Sequence, residues 1–313
     1  MESSMKIAFV FPGQGSQSVG MMNGFAGNAA VQSVLAQAGI ALGEDLVGLI
    51  ANGPAEQLGL TTNTQPVMLA AGAAAHAAWQ AASGPAPMLM AGHSLGEYTA
   101  LVAAGVLNLD DAVRLVRLRA AAMQEAVPVG TGAMAAILGL DDDAVRGVCR
   151  QASVVGVVEA VNFNAPSQVV IAGSKAGVDK ACELAKAAGA KRALPLPVSA
   201  PFHSSLMQPA AELLAHALAN VNMRAGTAPV INNVDVTVET DPARIRDALV
   251  RQAWHPVRWV ETVQKLAHEG ITHVVEFGPG KVLQGLVKRI APQMHTFAVV
   301  DSVSLQSALE ACQ

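Results

Sequence analysis

The stretch that most restricts the fold is Met88-Leu-Met-Ala-Gly-His-Ser-Leu-Gly-Glu97, an apolar run that ends in Gly92-His-Ser-Leu-Gly96. It reads as a buried strand turning sharply into a helix, with Ser94 at the apex of the turn. Glycines flank the serine because so tight a turn brings backbone into contact where side chains would collide. The residues that follow, Glu97 to Ala104, have helical character. Two readings of Ser94 stay open on this stretch alone: a nucleophile raised on an elbow, or a turn serine capping the helix.

Further short apolar runs ending in glycine or proline point the same way. Lys6–Phe11 reads as a strand opening into Pro12-Gly-Gln-Gly-Ser-Gln-Ser18, and Thr272–Phe277 as one ending in Gly278-Pro-Gly280. Pro229–Val234 and Thr296–Val300 resemble two further buried strands, and Thr61–Thr64 is expected to cap an Ala-rich helix. Buried strands alternating with helices favour a parallel α/β sheet, in which ligands sit beyond the carboxyl ends of the strands. The Gln14 loop is a poor phosphate fingerprint, since Ser18 stands where the third glycine of Gly-x-Gly-x-x-Gly belongs. It can instead bring backbone N–H groups up to a ligand, or serve as an ordinary strand-to-helix loop.

From Gly130 the texture changes. Strand, helix, strand, strand, helix and strand follow over Gly132–Leu138, Asp141–Ala152, Val157–Phe163, Gln168–Ala172, Ser174–Ala188 and Lys191–Val198. This βαββαβ order is that of a ferredoxin-like unit. The expected division is a discontinuous large domain, 1–126 and 199–313, with a small inserted domain at 127–198.

A helix is predicted from about Asp110 to Ala126. At about 100° per residue, Ala112, Leu115, Val116, Ala122 and Met123 share one face, and Arg119 falls among them. Arg114 and Arg117 project from the opposite face and read as solvated charges. An arginine in an apolar stripe needs an internal carboxylate, a bound anion or a route for its head to reach solvent. Its planar fork makes Arg119 a candidate clamp for a substrate carboxylate.

Composition excludes several functions. Hydrophobic residues make up 52% and charged residues 14% of the 313, which excludes a disordered chain. A net charge of −4 gives no electrostatic case for nucleic acid. Cys149, Cys182 and Cys312 are widely spaced, so neither a disulfide framework nor a metal site is indicated, and a reducing cytoplasm is expected. Gln57 to Gly96 carries no Asp, Glu, Lys or Arg, yet its Ala-rich part is interrupted by Gly72, His76 and Gln80. It reads as a core helix and not as a membrane span. Met5–Phe11 is too short for a signal sequence, and Met1–Ser4 reads as an extension before a natural start at Met5.

A serine hydroxyl needs a base, and the chain offers eight histidines. His203 stands out only by its Pro-Phe-His-Ser loop at the expected domain boundary. Taken in order, however, Phe11-Pro-Gly-Gln-Gly-Ser-Gln17, Gly92-His-Ser-Leu-Gly-Glu97, Arg119, Asn162-Phe-Asn-Ala-Pro166, Ala200-Pro-Phe-His203 and Gly278-Pro-Gly280 resemble the bacterial malonyl-CoA:acyl carrier protein transacylases over essentially the whole chain.

The resemblance implies an α/β-hydrolase-like large domain and ping-pong acyl transfer. Ser94 would be the nucleophile, His203 the base, and Gln14 and Leu95 the backbone oxyanion donors. Arg119 would pair with the malonate carboxylate, the Gln252 carbonyl would orient the histidine, and Asn162 would support it; the bland reading of Asn162 is a turn asparagine. Phe202 and Leu95 would favour malonyl over methylmalonyl. The partners implied are malonyl-CoA and holo-acyl carrier protein, with no cofactor beyond the CoA and phosphopantetheine that the substrates carry. A monomer is expected, with Lys191, Arg192, Lys281, Lys288 and Arg289 as the cations available to an acidic carrier or simply to solvent. The alternatives are the acyltransferase of malonate decarboxylase, a serine hydrolase and a non-catalytic carrier-binding module.

Overall fold

Five apolar runs do form strands of one parallel sheet, in a computed structural model that describes residues 5–198 and 200–313. The expected extension Met1–Ser4, and Ser199, at which the larger part is expected to resume, lie outside these residues. In chain order come β1 (Ile7–Phe11), α1 (Ala29–Leu42), α2 (Leu46–Asn52), α3 (Ala55–Gly59), α4 (Thr61–Ala81), β2 (Leu89–Gly92), α5 (Leu95–Ala103) and α6 (Leu109–Glu125). Then follow β3 (Gly132–Leu138), α7 (Asp142–Ala152), β4 (Val158–Ala165), β5 (Gln168–Ser174), α8 (Lys175–Ala187) and β6 (Arg192–Pro195). The chain ends with α9 (Gln208–Ala219), β7 (Val230–Ile231), α10 (Pro242–Gln252), α11 (Trp259–His268), β8 (His273–Phe277), α12 (Val282–Ile290), β9 (His295–Val299) and α13 (Ser302–Ala311).

The parallel sheet has the order β7-β2-β1-β8-β9. Every residue of β1 is buried, as a strand covered on both faces requires. One face packs Phe9, Phe11 and Phe277 against α4; the other packs Ala8, Val10 and Val274 against α11 and α12. The register pairs Phe11 with Gly92, so the loop after β1 and the turn after β2 emerge side by side.

The second sheet is antiparallel, ordered β4-β5-β3-β6. Helices α7 and α8 share a core with one face of it, and its other face, with Met134, Val161, Val170 and Ala172, packs on Ala122, Met123, Phe202 and Met207 of the larger part. Two backbone hydrogen bonds join β4 to Val257, at 2.8 Å from its N–H to Val161 and 3.0 Å to its carbonyl from Phe163.

Several expectations are corrected. Thr61–Thr64 do not cap α4 but form its first turn, with Leu60 as the cap residue. The Thr64 hydroxyl instead donates back to the carbonyls of Leu58 and Leu60. The run at Pro229–Val234 is a strand only at Val230–Ile231, because Asn232 bonds Thr237 within its own loop and Asn233 turns away to the Gly92 carbonyl. The last strand of the small sheet is shorter than Lys191–Val198. Arg117 is not a free surface charge: it chelates Glu44 through two hydrogen bonds of 2.6 Å.

Candidate active site

Ser94 sits between β2 and α5 with φ 53° and ψ −111°, a conformation that L side chains rarely adopt. The flanking glycines make it possible. A Cβ on Gly92 would stand 1.9 Å from the Gly96 carbonyl, and one on Gly96 would stand 2.0 Å from the Phe11 oxygen. The elbow is thus pressed against itself and against β1. Asn233 ties it from outside, its Nδ2 donating to the Gly92 carbonyl at 2.6 Å and its Oδ1 accepting from the Ser94 N–H at 2.7 Å.

His203 Nε2 lies 2.7 Å from Ser94 Oγ, although the two residues stand 109 apart in sequence. Its other nitrogen, Nδ1, lies 2.7 Å from the Gln252 backbone carbonyl. A carbonyl can only accept, so Nδ1 carries the proton and Nε2 is left to accept from the serine. His203 is buried, and desolvation, reinforced by the Arg119 charge, pushes its pKa down to about 3. The imidazole is therefore neutral at physiological pH.

Arg119 is 2% exposed, as its place in the apolar stripe predicts. Burial pulls its pKa below the usual arginine range, while Tyr98 and Glu97 act to hold it up. Among the described residues no carboxylate comes within ion-pair distance of its guanidinium. Instead Nη1 donates to Gln65 Oε1 at 2.8 Å, and Nη2 donates to Gln252 Oε1 at 2.9 Å and to Ser94 Oγ at 3.1 Å. The serine hydroxyl thus faces a neutral base on one side and a buried cation on the other.

Gln14 lies three residues beyond β1, in the loop beside the elbow; a Cβ on neighbouring Gly13 would stand 2.8 Å from the His93 carbonyl. Leu95 opens α5, where the first backbone N–H groups have no acceptor within the helix. Asn162 is not joined to His203: it lies in β4 opposite Val257, and its side-chain oxygen is buried without a partner among the described residues. Arg289 donates to the Pro166 carbonyl at 3.0 Å and to the Gln168 side chain, which ties α12 to the turn between β4 and β5.

Sequence reasoning missed Gln65, Glu97 and Asn233. Glu97 had a detectable signal, since a carboxylate in the first turn of an otherwise apolar helix has to be buried with partners. Gln65 and Asn233 had none, because only packing brings them to the centre. His93 Nε2 lies 2.7 Å from Asn164 Oδ1, joining the elbow to the small sheet.

Known proteins resemble the chain over almost its whole length. Residues 8–306 match the acyl transferase domain family. The chain is 55% identical over 305 residues to the malonyl CoA-acyl carrier protein transacylase of Salmonella typhimurium, covering 97% of this chain and 99% of that one. The crystal structure of an acyl-carrier-protein S-malonyltransferase from Burkholderia pseudomallei 1710b superposes with a TM-score of 0.97 at 65% identity, covering 98% of this chain and all of that one (100%). A malonyl-transacylase solved in complex with its type II PKS acyl-carrier protein gives a TM-score of 0.96 at 50% identity, covering 98% and 99% of the two chains. The chain belongs to the acyl transferase family, among the malonyl-CoA:acyl carrier protein transacylases.

Proposed function

We propose that this protein moves the malonyl group of malonyl-CoA to the phosphopantetheine thiol of acyl carrier protein through an ester on Ser94, supplying fatty acid elongation. The observation that carries this reading is the meeting, at one hydroxyl, of the His203 base at 2.7 Å and the Arg119 cation at 3.1 Å.

Ser94 Oγ attacks the thioester carbonyl carbon as its proton passes to His203 Nε2. The backbone N–H groups of Leu95 and Gln14 hold the oxyanion. The C–S bond then breaks, and the CoA sulfur leaves with the proton from His203. In the second half the carrier thiol gives its proton to His203 and attacks the ester, the C–O bond breaks, and Ser94 recovers the proton. Arg119 holds the free carboxylate of the malonyl group throughout. Nothing in these steps calls for a metal or a further cofactor.

The Gln252 carbonyl orients His203 in place of an acid. Asn162 supports it at one remove, through the strand that holds Val257, five residues beyond Gln252. Phe202 and Leu95 bias the pocket against a methyl branch by about 1–3 kcal/mol, a preference and not an exclusion.

The larger part, 1–126 with 199–313, is read as α/β-hydrolase-like, which the strand-to-helix elbow supports. The small part, 127–198, is read as ferredoxin-like, which its sheet order and one-sided helices support. One copy supplies Ser94, His203, Arg119 and Gln252, so a monomer suffices. Three free cysteines favour a reducing cytoplasm. No single described helix is long and apolar enough to cross a membrane, and the charge of −4 favours no nucleic acid.

Mass spectrometry after mixing with malonyl-CoA, with and without holo-acyl carrier protein, tests the reading. An adduct on Ser94 that moves to the carrier, and is absent from Ser94→Ala, is expected. Rapid release as free malonate would identify a hydrolase, and no adduct a binding module.

A further inference from the structure

Glu97 takes no part in the steps above, yet its carboxylate is 2% exposed and lies in the first turn after the nucleophile. A charge so buried has to be held by donors. Its Oε2 accepts from Gln252 Nε2 at 2.9 Å and from the Asn233 backbone N–H at 3.0 Å. Asn233 grips both sides of the elbow. Gln252 holds His203 through its carbonyl, Arg119 through Oε1 and the Ser94 carbonyl, at 2.9 Å, through Nε2.

We propose, resting on the acyl-transfer reading, that Glu97 is a positioning residue: it locks Gln252 and Asn233 in the arrangement that aims base, clamp and nucleophile.

The donor count leaves Gln252 one orientation. Arg119 can only donate, so it requires Oε1; the Ser94 carbonyl can only accept, so it requires Nε2. Reversing the amide would set donor against donor at Arg119 and oxygen against oxygen at Ser94. An ionised Glu97 behind Nε2 favours the working orientation.

The charge matters because an ionised carboxylate holds the Gln252 Nε2 and the Asn233 N–H more strongly than a protonated one does. The charged and titratable groups facing Glu97 are Arg119 from α6, Tyr98 on its own helix, and Asp235 from the loop after β7, itself paired with Arg251 at 2.7 Å. Burial pushes Glu97 up to about 7, while Gln252, Asn233 and Arg119 pull it down. Its charge is therefore lost on mild acidification, whereas His203, at about 3, stays neutral. The acid limb of malonyl loading then belongs to Glu97.

The test is the rate of Ser94 ester formation from malonyl-pantetheine, which carries no phosphate, measured from about pH 5 to about pH 9 in wild type and Glu97→Gln. Wild-type loading is expected to rise through neutrality. Glu97→Gln is expected to lose that limb and to load ~10-fold more slowly at alkaline pH, with the fall in kcat and not in KM, the effect of loosening the hold on a group that aims the base. A limb that persists in Glu97→Gln, or a uniform slowing with the profile unchanged, overturns the proposal. If that variant fails to fold, a wild-type profile flat through neutrality overturns it equally. Failure of wild type to form any Ser94 ester would instead remove the acyl-transfer reading.

Discussion

At the scale of single residues, the centre is a problem in placing one buried cation. Arg119 is surrounded by the neutral acceptors Gln65, Gln252 and Ser94, with Glu97 acting on it as a charge beyond hydrogen-bond reach. Such a guanidinium has more to gain from an incoming carboxylate than one already paired. Arg119→Ala should lower kcat/KM for malonyl-CoA by about 3 kcal/mol or more, while acetyl-CoA, lacking the second carboxylate, loses less. The ratio of the two substrates is the measurement, because general damage to the pocket lowers both. An unchanged ratio would separate Arg119 from substrate recognition.

At the scale of elements, the elbow depends on backbone contact between β2, α5 and β1. Glycine is required at 92 and 96 by lack of space, since the nearest atoms belong to backbone that cannot swing aside. Gly92→Ala should destabilise the fold by about 1–3 kcal/mol or more. It should also slow malonyl labelling of Ser94 by roughly 100-fold, the effect of displacing a nucleophile by about 1 Å. Gly285→Ala is the matched control: it lies inside α12 with open space around its missing Cβ, and should stabilise by about 0.5–1 kcal/mol. Denaturant midpoints and labelling rates for the two variants check this contrast.

At the scale of the whole molecule, buried titratable groups oppose one another in their dependence on pH. His76, packed edge-on against Phe9 and Phe277, is pushed down to about 4 by burial. A histidine held neutral contributes stability that is present above its unfolded value near 6.5 and lost as pH falls through 4. Glu97 and Glu276 are pushed up to about 7, so their contribution is present below about 4.5 and lost as pH rises through 7. Between these limits the two trends partly offset. In His76→Phe one of the histidine contributions is gone, so the variant should gain ~2 kcal/mol relative to wild type between about pH 7 and about pH 5. Urea midpoints of both proteins at the two pH values measure it, and an equal difference at both would contradict the assignment.

Features that depend on near neighbours along the chain are legible in the sequence. The apolar runs before Pro12 and Gly92, the elbow glycines, the αβ alternation of the insert and the burial of Arg119 all follow from periodicity and from the sterics of adjacent residues. The resemblance to transacylases added the roles of His203 and the Gln252 carbonyl. Which acceptor each buried donor meets depends on how distant segments pack. The small sheet had to dock on α6, and α10 had to end beside the elbow, before the Gln252 side chain could reach both Arg119 and Glu97. Asn233 met Ser94 only because β7 stops after two residues at the sheet edge. A buried hydrogen bond is set by angles and fractions of an ångström between segments distant in the chain, and no local pattern in the chain encodes such a distance.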